Sequence, residues 1–337
     1  MTAAAERAAD GDLPRHFAPL DGMRGVLALG IVLLHLGFNS FTQRTFGWPG
    51  VVFELAVDVF FILSGFVLAH SLRQGSAFAA FAVRRCFRLL PVYFLTAFAA
   101  AAALGRPLSL ADWLVAAPLI GRSPLAFPAW SITWELYLPL AAVLVRWSPP
   151  RWAVRPLLVI LLVALAIIDI RVAGGEALYA WRAGLGLAAG ALLYRARLEV
   201  PGPAGAWFGL LVAGIAAGHT WPILAAIVPF AATAAILAGR GGKSLFATAP
   251  LQWLGAISYT LYMVHIPVLA AAQALLGARI DANAGAKLAI LAISIAAAAA
   301  LTLAVERPAN RLGHRLSRRI EAWQGLASPR APTIGEP

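Results

Sequence analysis

The run DGMRGVLALGIVLLHLGF, residues 21–38, is long and apolar enough to cross the hydrocarbon core of a bilayer as one helix. It carries Arg24 near its start and His35 eleven residues later, and lipid stabilises neither side chain. At a rise of about 1.5 Å per residue, the imidazole stands roughly 16 Å above the guanidinium. The run therefore predicts a transmembrane helix with functional groups at two depths.

Composition extends this prediction to the whole chain. Of its 337 residues 61% are hydrophobic and 12% are charged, and the mean hydropathy is +0.79. A soluble protein of this size cannot bury so much apolar surface, so soluble classes are excluded. We predict an all-α integral membrane protein, a polytopic bundle of about ten transmembrane helices. The apolar runs lie near 22–38, 51–72, 79–104, 129–146, 156–171, 177–195, 205–219, 221–239, 250–275 and 286–305. The runs at 205–219 and 221–239 are also compatible with one unit broken around 219–222.

The basic residues predict an orientation. With the N-terminus inside, twenty of the 27 lysines and arginines fall in cytoplasmic segments, six lie on the opposite side, and Arg182 falls within a span. The positive-inside rule expects this asymmetry, so both termini are predicted to be cytoplasmic. The net charge of +12 is dispersed over many short loops, so no nucleic-acid partner is predicted.

The chain is predicted to be one membrane domain with two polar ends. Residues 1–17 form a disordered cytoplasmic segment, residues 18–312 the transmembrane domain, and residues 313–337 a basic cytoplasmic tail. The basic amphipathic stretch ERPANRLGHRLSRRIEAW, residues 306–323, is expected on the anionic inner leaflet. The first apolar run is expected to be a retained span, because no small-residue cleavage site follows it. Since Cys86 is the only cysteine, neither a disulfide framework nor a metal site is predicted.

Small residues within the spans predict where helices pack closely. Ser64 and Gly65 lie in the second run, and Gly186 and Gly190 form a GxxxG spacing in the sixth. In a chain with 30 glycines, the GxxxG spacing indicates helix packing and nothing more.

Four ionisable residues are predicted to share one layer near or above the membrane midplane: His35, Asp58, Glu135 and His265. Burying such a group in lipid costs at least about 2.5–3.5 kcal/mol, so each of the four is expected to have a functional or structural role. For the histidines, the alternative to chemistry is a packing hydrogen bond between helices. For Asp58 it is an ion pair or hydrogen bond that holds the first two helices, and Glu135 could be architectural. No chemistry is assigned to Asp169, Glu176 or Arg182.

A cluster of arginines marks the cytoplasmic mouth of the third span, in FAVRRCFRLLPVYF at residues 81–94. Arg85 and Arg88 are three residues apart and share a helix face, so both guanidiniums could grip one group of phosphates. The alternative is that Arg84, Arg85 and Arg88 only satisfy the positive-inside rule. Pro91 predicts a bend or a broken helix beyond them.

Taken together, these segments resemble the membrane acyltransferase-3 family of bacterial O-acyltransferases. The resemblance rests on motifs in the same order: LDGMRGVLALGIVLLHL (20–36), VDVFFILSGFVL (57–68), RRCFRLLPVYF (84–94), PAWSITWELYL (128–138), LGAISYTLYMVHIPV (254–268) and VERPANRL (305–312). It covers nearly the whole chain. Where many members carry paired glutamates, this chain has Glu135 followed by Leu136.

The resemblance implies a multi-pass enzyme of the bacterial inner membrane. It would move an acyl group, most simply acetyl, from acyl-CoA to a hydroxyl of a sugar, a surface glycan or a macrolide-like small molecule. Arg24, Arg85 and Arg88 would bind the phosphates of the donor at the cytoplasmic mouth. His35 would be the general base, with Asp58 or Glu135 as its partner, and a covalent acyl-histidine is the second choice. Further substrate-site residues would be Ser64, Trp130, Tyr259 and His265.

Two other function classes stay open from the residues alone. Histidines and carboxylates near the midplane also suit a proton-coupled transporter. The chain shows no internal symmetry and no paired, interrupted helices of the transporter kind, which disfavours that class. A purely structural membrane scaffold explains the spans but not the polar layer.

Overall fold

The computed structural model describes residues 17–37, 53–73, 77–105, 130–145, 149–176, 178–196, 198–239, 244–277, 280 and 283–324. Every regular element within these ranges is helical. The helices are α1 (Ala18–His35), α2 (Ala56–Arg73), α3 (Phe78–Ala103), α4 (Trp130–Val145), α5 (Arg151–Ala173), α6 (Tyr179–Ala196), α7 (Ala204–Thr220), α8 (Ile227–Gly239), α9 (Ala249–Leu276), α10 (Ala284–Leu301) and α11 (Arg307–Trp323). Short 3₁₀ turns cover Phe53–Leu55, Pro222–Ala226 and Leu245–Ala247, and a π-helical turn at Thr302–Glu306 joins α10 to α11.

Several of these helices are suited to a bilayer. In the described ranges, six segments are long and apolar enough to cross a membrane: Ala18–His35, Phe78–Ala103, Arg151–Ala173, Pro222–Gly239, Ala249–Leu276 and Ala284–Trp323. Ala56–Ser71 and Ala204–Gly218 are shorter apolar stretches. The predicted all-α architecture with several candidate spans is therefore confirmed for the described residues. The count of about ten spans and the orientation of the termini stay predictions.

The sequence indicates helix interruptions at two places, around residues 219–222 and at Pro91, and the structure breaks the helix only at the first. Helix α7 ends at Thr220, and the following 3₁₀ turn brings Gly218 against Ala225, so α7 and α8 are separate helices. Helix α3 instead continues through Pro91 without a break. Neighbouring helices can compensate a proline in a membrane helix, which explains why the broken form is not adopted. A bend at Pro91 stays a prediction.

Helices α2 and α6 lie parallel and in very close contact. Asp58 meets Arg182 near their starts, and His70 meets Tyr194 near their ends. Between these points, a Cβ added at Gly65 would overlap the backbone oxygen of Leu187. The predicted close packing of small residues is thus confirmed, because any larger side chain would push the two backbones apart.

Helices α1 and α9 form a second parallel pair. A Cβ at Gly25 would stand 2.6 Å from the backbone nitrogen of Gly255, so the two backbones touch near the start of α1. At the other end, His35 reaches His265. Since both helices run in the same direction, residues far apart in the sequence come together at two depths.

Helix α11 packs on α3 and is continuous with the membrane-crossing helix α10. Its buried face contains Gly313, which lies against Phe87, and Ser317. Arg84 on α3 forms an ion pair of 3.1 Å with Glu321. The boundary predicted at 312/313 therefore falls inside a helix, and this helix has a protein-facing side as well as its predicted basic side.

Candidate active site

A cavity of about 350 Å³ lies between α1, α2, α3, α4 and the segment formed by the π-helical turn and α11. Five predicted site residues line it: Arg24, Ser64, Arg85, Arg88 and Glu135. Its other polar lining residues are Asp21, Ser71, Arg84, Glu306, Asn310 and His314. We call it the arginine cavity. Within the described ranges, no group of three or more His, Cys, Asp or Glu side chains could hold a metal ion.

The arginines of this cavity differ in how firmly they are held. Arg24 donates from Nε to Ser258 Oγ (2.9 Å) and from Nη2 to the carbonyl oxygen of Gly255 (3.1 Å). Arg85 donates from Nε to the carbonyl oxygen of Glu135 (2.6 Å), while its buried Nη2 has no hydrogen-bond acceptor. In the part of the chain that the structure describes, Arg88 has neither an ion pair nor a hydrogen bond. The cavity therefore contains donors that are available to an anionic ligand.

Glu135 lies among these cations. Its Oε1 stands 3.4 Å from Arg85 Nη2 and accepts a hydrogen bond of 3.2 Å from Ser64 Oγ. A second carboxylate, Glu306 on the π-helical turn, accepts from Thr260 and, at 3.4 Å, from Thr302. π-Helical turns are frequent at functional sites, and this one directs Glu306 into the cavity.

A second and much smaller cavity, of about 40 Å³, contains His35. We call it the histidine cavity. Its polar and aromatic walls are His35, Glu54, Trp130, Tyr179, Arg182 and Tyr262. A hydrogen bond of 3.0 Å between Ser131 and Tyr262 links α4 to α9. Ser131 lies one turn before Glu135, and Tyr262 lies three residues before His265, so this bond connects the helices that serve the two cavities.

His35 and His265 form a pair. Nδ1 of His35 lies 2.9 Å from the carbonyl oxygen of Ile31 and 3.3 Å from Nε2 of His265. Nδ1 of His265 lies 3.3 Å from the carbonyl oxygen of Leu261. Carbonyl oxygens only accept, so both contacts assign the proton of each neutral ring to Nδ1. Nε2 of His35 is then the nitrogen that can take up a proton.

Asp58 is engaged elsewhere. Arg182 donates to both of its carboxylate oxygens at 2.8 Å, and to the carbonyl oxygen of Glu54 at 2.7 Å. Asp58 is 1% exposed and Arg182 is 2% exposed, so this is a fully buried bidentate ion pair. The guanidinium also lies 5.2 Å from the centre of the Trp130 ring. Asp58 thus makes the ion pair that the sequence left open, but with α6 rather than with the first helix.

The family can now be assigned. A family model described as an acyltransferase domain matches residues 17–305, most of the chain. The chain belongs to this acyltransferase family. The resemblance seen in the sequence motifs is confirmed.

Two curated relatives of this acyltransferase-family protein match over shorter stretches. The "Protein 2 in picA locus" of Rhizobium radiobacter is 44% identical over 87 residues, which cover 24% of this chain and 42% of the relative. The "Putative peptidoglycan O-acetyltransferase YrhL" of Bacillus subtilis (strain 168) is 34% identical over 90 residues, which cover 25% of this chain and 13% of the relative. The chain therefore spans less than half the length of either relative. No solved structure matches it.

In the structure of this acyltransferase-family protein, the four ionisable residues that the sequence places in one layer do not form one cluster. The two histidines meet, Glu135 lies in the arginine cavity, and Asp58 pairs with Arg182; neither carboxylate is hydrogen-bonded to His35 in the described ranges. Tyr259 donates to the carbonyl oxygen of Leu89 on α3 (2.6 Å). Depth along a helix was predictable, but the direction in which each side chain points was not.

Several residues that line these sites were not predicted from the sequence, among them Arg182, Asn310 and His314. Arg182 was assigned no chemistry, although a lone cation within a span requires a carboxylate partner, and Asp58 lies within reach on a neighbouring helix. Asn310 and His314 on α11 line the arginine cavity. Their signal was their spacing of four residues, which places both on one face of the amphipathic stretch.

Proposed function

We propose that this protein is an integral-membrane O-acyltransferase that moves an acyl group, most simply acetyl, from acyl-CoA to an acceptor hydroxyl. The observation that carries the proposal is the set of unsatisfied donors in the arginine cavity, from Arg85 Nη2 and Arg88. A buried guanidinium N–H without a hydrogen bond is costly, and an anionic ligand would supply the missing acceptor. The family assignment and the name of the Bacillus subtilis relative support the reaction class.

Coenzyme A matches the chemistry of this cavity. Its phosphates cannot enter lipid, and planar guanidiniums bind phosphate in a bidentate manner. Four arginines on two helices, Arg24 on α1 and Arg84, Arg85 and Arg88 on α3, line the cavity together with Ser64 and Glu135. Arg24 and Arg85 are already oriented by protein acceptors, and Arg88 is left for the ligand. In this arrangement the phosphates bind near Arg24 and Arg88, and the pantetheine arm carries the thioester toward Ser64, Glu135 and Nη2 of Arg85.

The histidine cavity is our candidate for the acceptor hydroxyl. A cavity of about 40 Å³ has room for only a water or a few, so it could admit a hydroxyl-bearing end but not a whole sugar. Nε2 of His35 would take the proton of that hydroxyl as it attacks the acyl carbon, with His265 holding the ring. The name of the Bacillus subtilis relative favours a glycan hydroxyl as the acceptor. A free sugar or a macrolide-like small molecule is the alternative.

We expect Arg88 to contribute to binding of the acyl donor, so its removal should change the Michaelis constant. Arg88→Ala should raise the KM for acetyl-CoA about tenfold or more with little change in kcat, because phosphates lie far from the reacting carbon. With a truncated acetyl-pantetheine thioester, the same variant should behave almost as the wild type. Steady-state kinetics of the purified protein with labelled acetyl groups measures both.

The matched control for this experiment is Arg315→Ala, which removes an exposed arginine of α11 outside the arginine cavity. This variant should leave the KM for acetyl-CoA unchanged. An equal loss of turnover with both donors in Arg88→Ala would contradict phosphate binding at this position. A wild-type protein that neither hydrolyses nor transfers the labelled acetyl group would contradict the proposed function itself.

We also propose that the protein lies in the bacterial inner membrane with both termini in the cytoplasm. Gly202 between α6 and α7, and Gly175 after α5, should then lie on opposite sides. A green fluorescent protein fused after Gly202 should fluoresce, and alkaline phosphatase fused after Gly175 should be active. The reverse result at either position would contradict the orientation.

A further inference from the structure

Ser64 has a hydrogen bond that a purely substrate-lining residue does not need. Its Oγ donates to Oε1 of Glu135 at 3.2 Å, and both side chains line the arginine cavity. Ser64 is nine residues from Arg73 at the end of α2, so it lies roughly 14 Å from the basic end of its helix. This is the part of the cavity toward which the arm of a bound donor would extend.

The carboxylate beside Ser64 is held in place. Arg85 contacts Glu135 twice, through its carbonyl oxygen at 2.6 Å and through Oε1 at 3.4 Å. The Arg85 and Glu135 side chains are 10% and 21% exposed, so water competes little for these contacts. Glu135 can therefore accept the hydroxyl proton of Ser64 without first having to reorient.

Two further observations describe the surroundings that a thioester would have beside Ser64. Arg85 Nη2 is buried and makes no hydrogen bond, although it faces the same carboxylate oxygen as Ser64. Such a donor can stabilise the oxyanion that forms when a carbonyl is attacked. The backbone beside Ser64 is fixed as well, because Gly65 packs directly against the backbone of Leu187. A rigid support of this kind is what a catalytic side chain requires.

We propose that Ser64 is a nucleophile that carries the acyl group between donor and acceptor. This proposal rests on the proposed function and deepens it. Oγ of Ser64 attacks the thioester carbonyl, the Oγ–carbon bond forms and the carbon–sulfur bond breaks. The hydroxyl proton passes to Glu135 and from there to the departing sulfur, so that coenzyme A leaves as a free thiol. The acceptor oxygen then bonds to the acyl carbon, the bond between that carbon and Ser64 Oγ breaks, and Oγ regains the proton that the acceptor hydroxyl gives up.

The half-reactions can be separated by isotope exchange. A covalent acyl-Ser64 lets labelled coenzyme A exchange into acetyl-CoA when no acceptor is present, whereas direct transfer does not. We expect the wild type to catalyse this exchange. Ser64→Ala and Glu135→Gln should slow it by at least about a hundredfold, since one lacks the nucleophile and the other its base. Ser64→Cys should retain exchange, because a thiol can form the corresponding thioester.

The matched control is Ser294→Ala on α10. Ser294 is fully buried and bonded to the carbonyl oxygen of Ile290, but it lines neither cavity. Its exchange rate should equal that of the wild type at matched membrane levels. Mass spectrometry of wild-type protein quenched with acetyl-CoA should find the acetyl group on the peptide that contains Ser64, and this result does not depend on how well any variant folds.

The outcomes distinguish the two proposals. If the wild type transfers acetyl to an acceptor but shows no exchange, transfer is direct and Ser64 is not the carrier. Exchange that persists in Ser64→Ala, or an acetyl group trapped on another residue, would also overturn the role of Ser64 while the proposed function stands. If the wild type shows no exchange, no hydrolysis and no transfer, the proposed function itself is wrong.

Discussion

Replacing His35 with alanine should lower kcat by about a hundredfold or more, the usual loss when a general base is removed. The contacts of its ring assign the proton to Nδ1, so in the proposed reaction Nε2 would accept the hydroxyl proton. Donor binding should be kept, because Arg24, Arg85 and Arg88 lie in the other cavity. Kinetics with labelled acetyl-CoA and an acceptor, at matched membrane levels, measures the loss.

His35→Gln should be nearly as slow, because an amide can hold a hydrogen bond but cannot take up a proton. His35→Ala and His265→Ala should be strongly non-additive if the two rings act as one unit. His70→Ala is the matched control, since His70 bonds to Tyr194 outside both cavities, and it should keep most of the turnover. A His35→Gln variant that keeps most of its activity would make His35 a packing residue.

Breaking the ion pair between Asp58 and Arg182 should have the largest effect on stability. Asp58→Ala should lower the free energy of unfolding by about 3–5 kcal/mol, because it leaves a buried guanidinium without its carboxylate. Asp58→Leu combined with Arg182→Met should cost less than either single change, since the pair is removed together. Reversible unfolding in mixed micelles, followed by circular dichroism, would measure these differences.

The exposed pair between Arg171 and Glu176 gives a matched control. Arg171→Ala should have no measurable effect on unfolding, because water already solvates both partners. The double variant at 58 and 182 also tests whether Asp58 has a catalytic role. If this variant folds and keeps its turnover, Asp58 is structural, whereas a folded but inactive protein would show that the reaction needs the Asp58–Arg182 pair.

The parts of the site that were predictable follow from regular helix geometry. Arg85 and Arg88 share a helix face at a spacing of three residues, and both line the arginine cavity. Gly186 and Gly190 mark a close helix contact, because a chain that approaches another backbone so closely must lack a Cβ there. These inferences use only the period of one helix, which the sequence contains.

The remaining parts depend on how helices are rotated and paired. Glu135 and His35 were placed at similar depths, yet Glu135 faces Arg85, whereas His35 faces His265. The position of a residue along a helix predicts only the depth of its side chain in the membrane. The direction in which that side chain points around the helix axis is set by packing with neighbours that are distant in sequence. For the same reason, the pairing of α6 with α2 and the role of Arg182 could not be read from either segment alone.

The parallel contact between α1 and α9 has a consequence for biogenesis. Arg24 bonds to Ser258 across 234 residues of sequence, and His35 contacts His265 across 230. The arginine cavity also needs Glu306, Asn310 and His314, and the histidine cavity needs Tyr262, so neither is complete until the ribosome has made most of the chain. Contacts of such long sequence separation form late. A nascent or truncated chain would thus lack the assembled arginine and histidine cavities, so we expect it to be inactive.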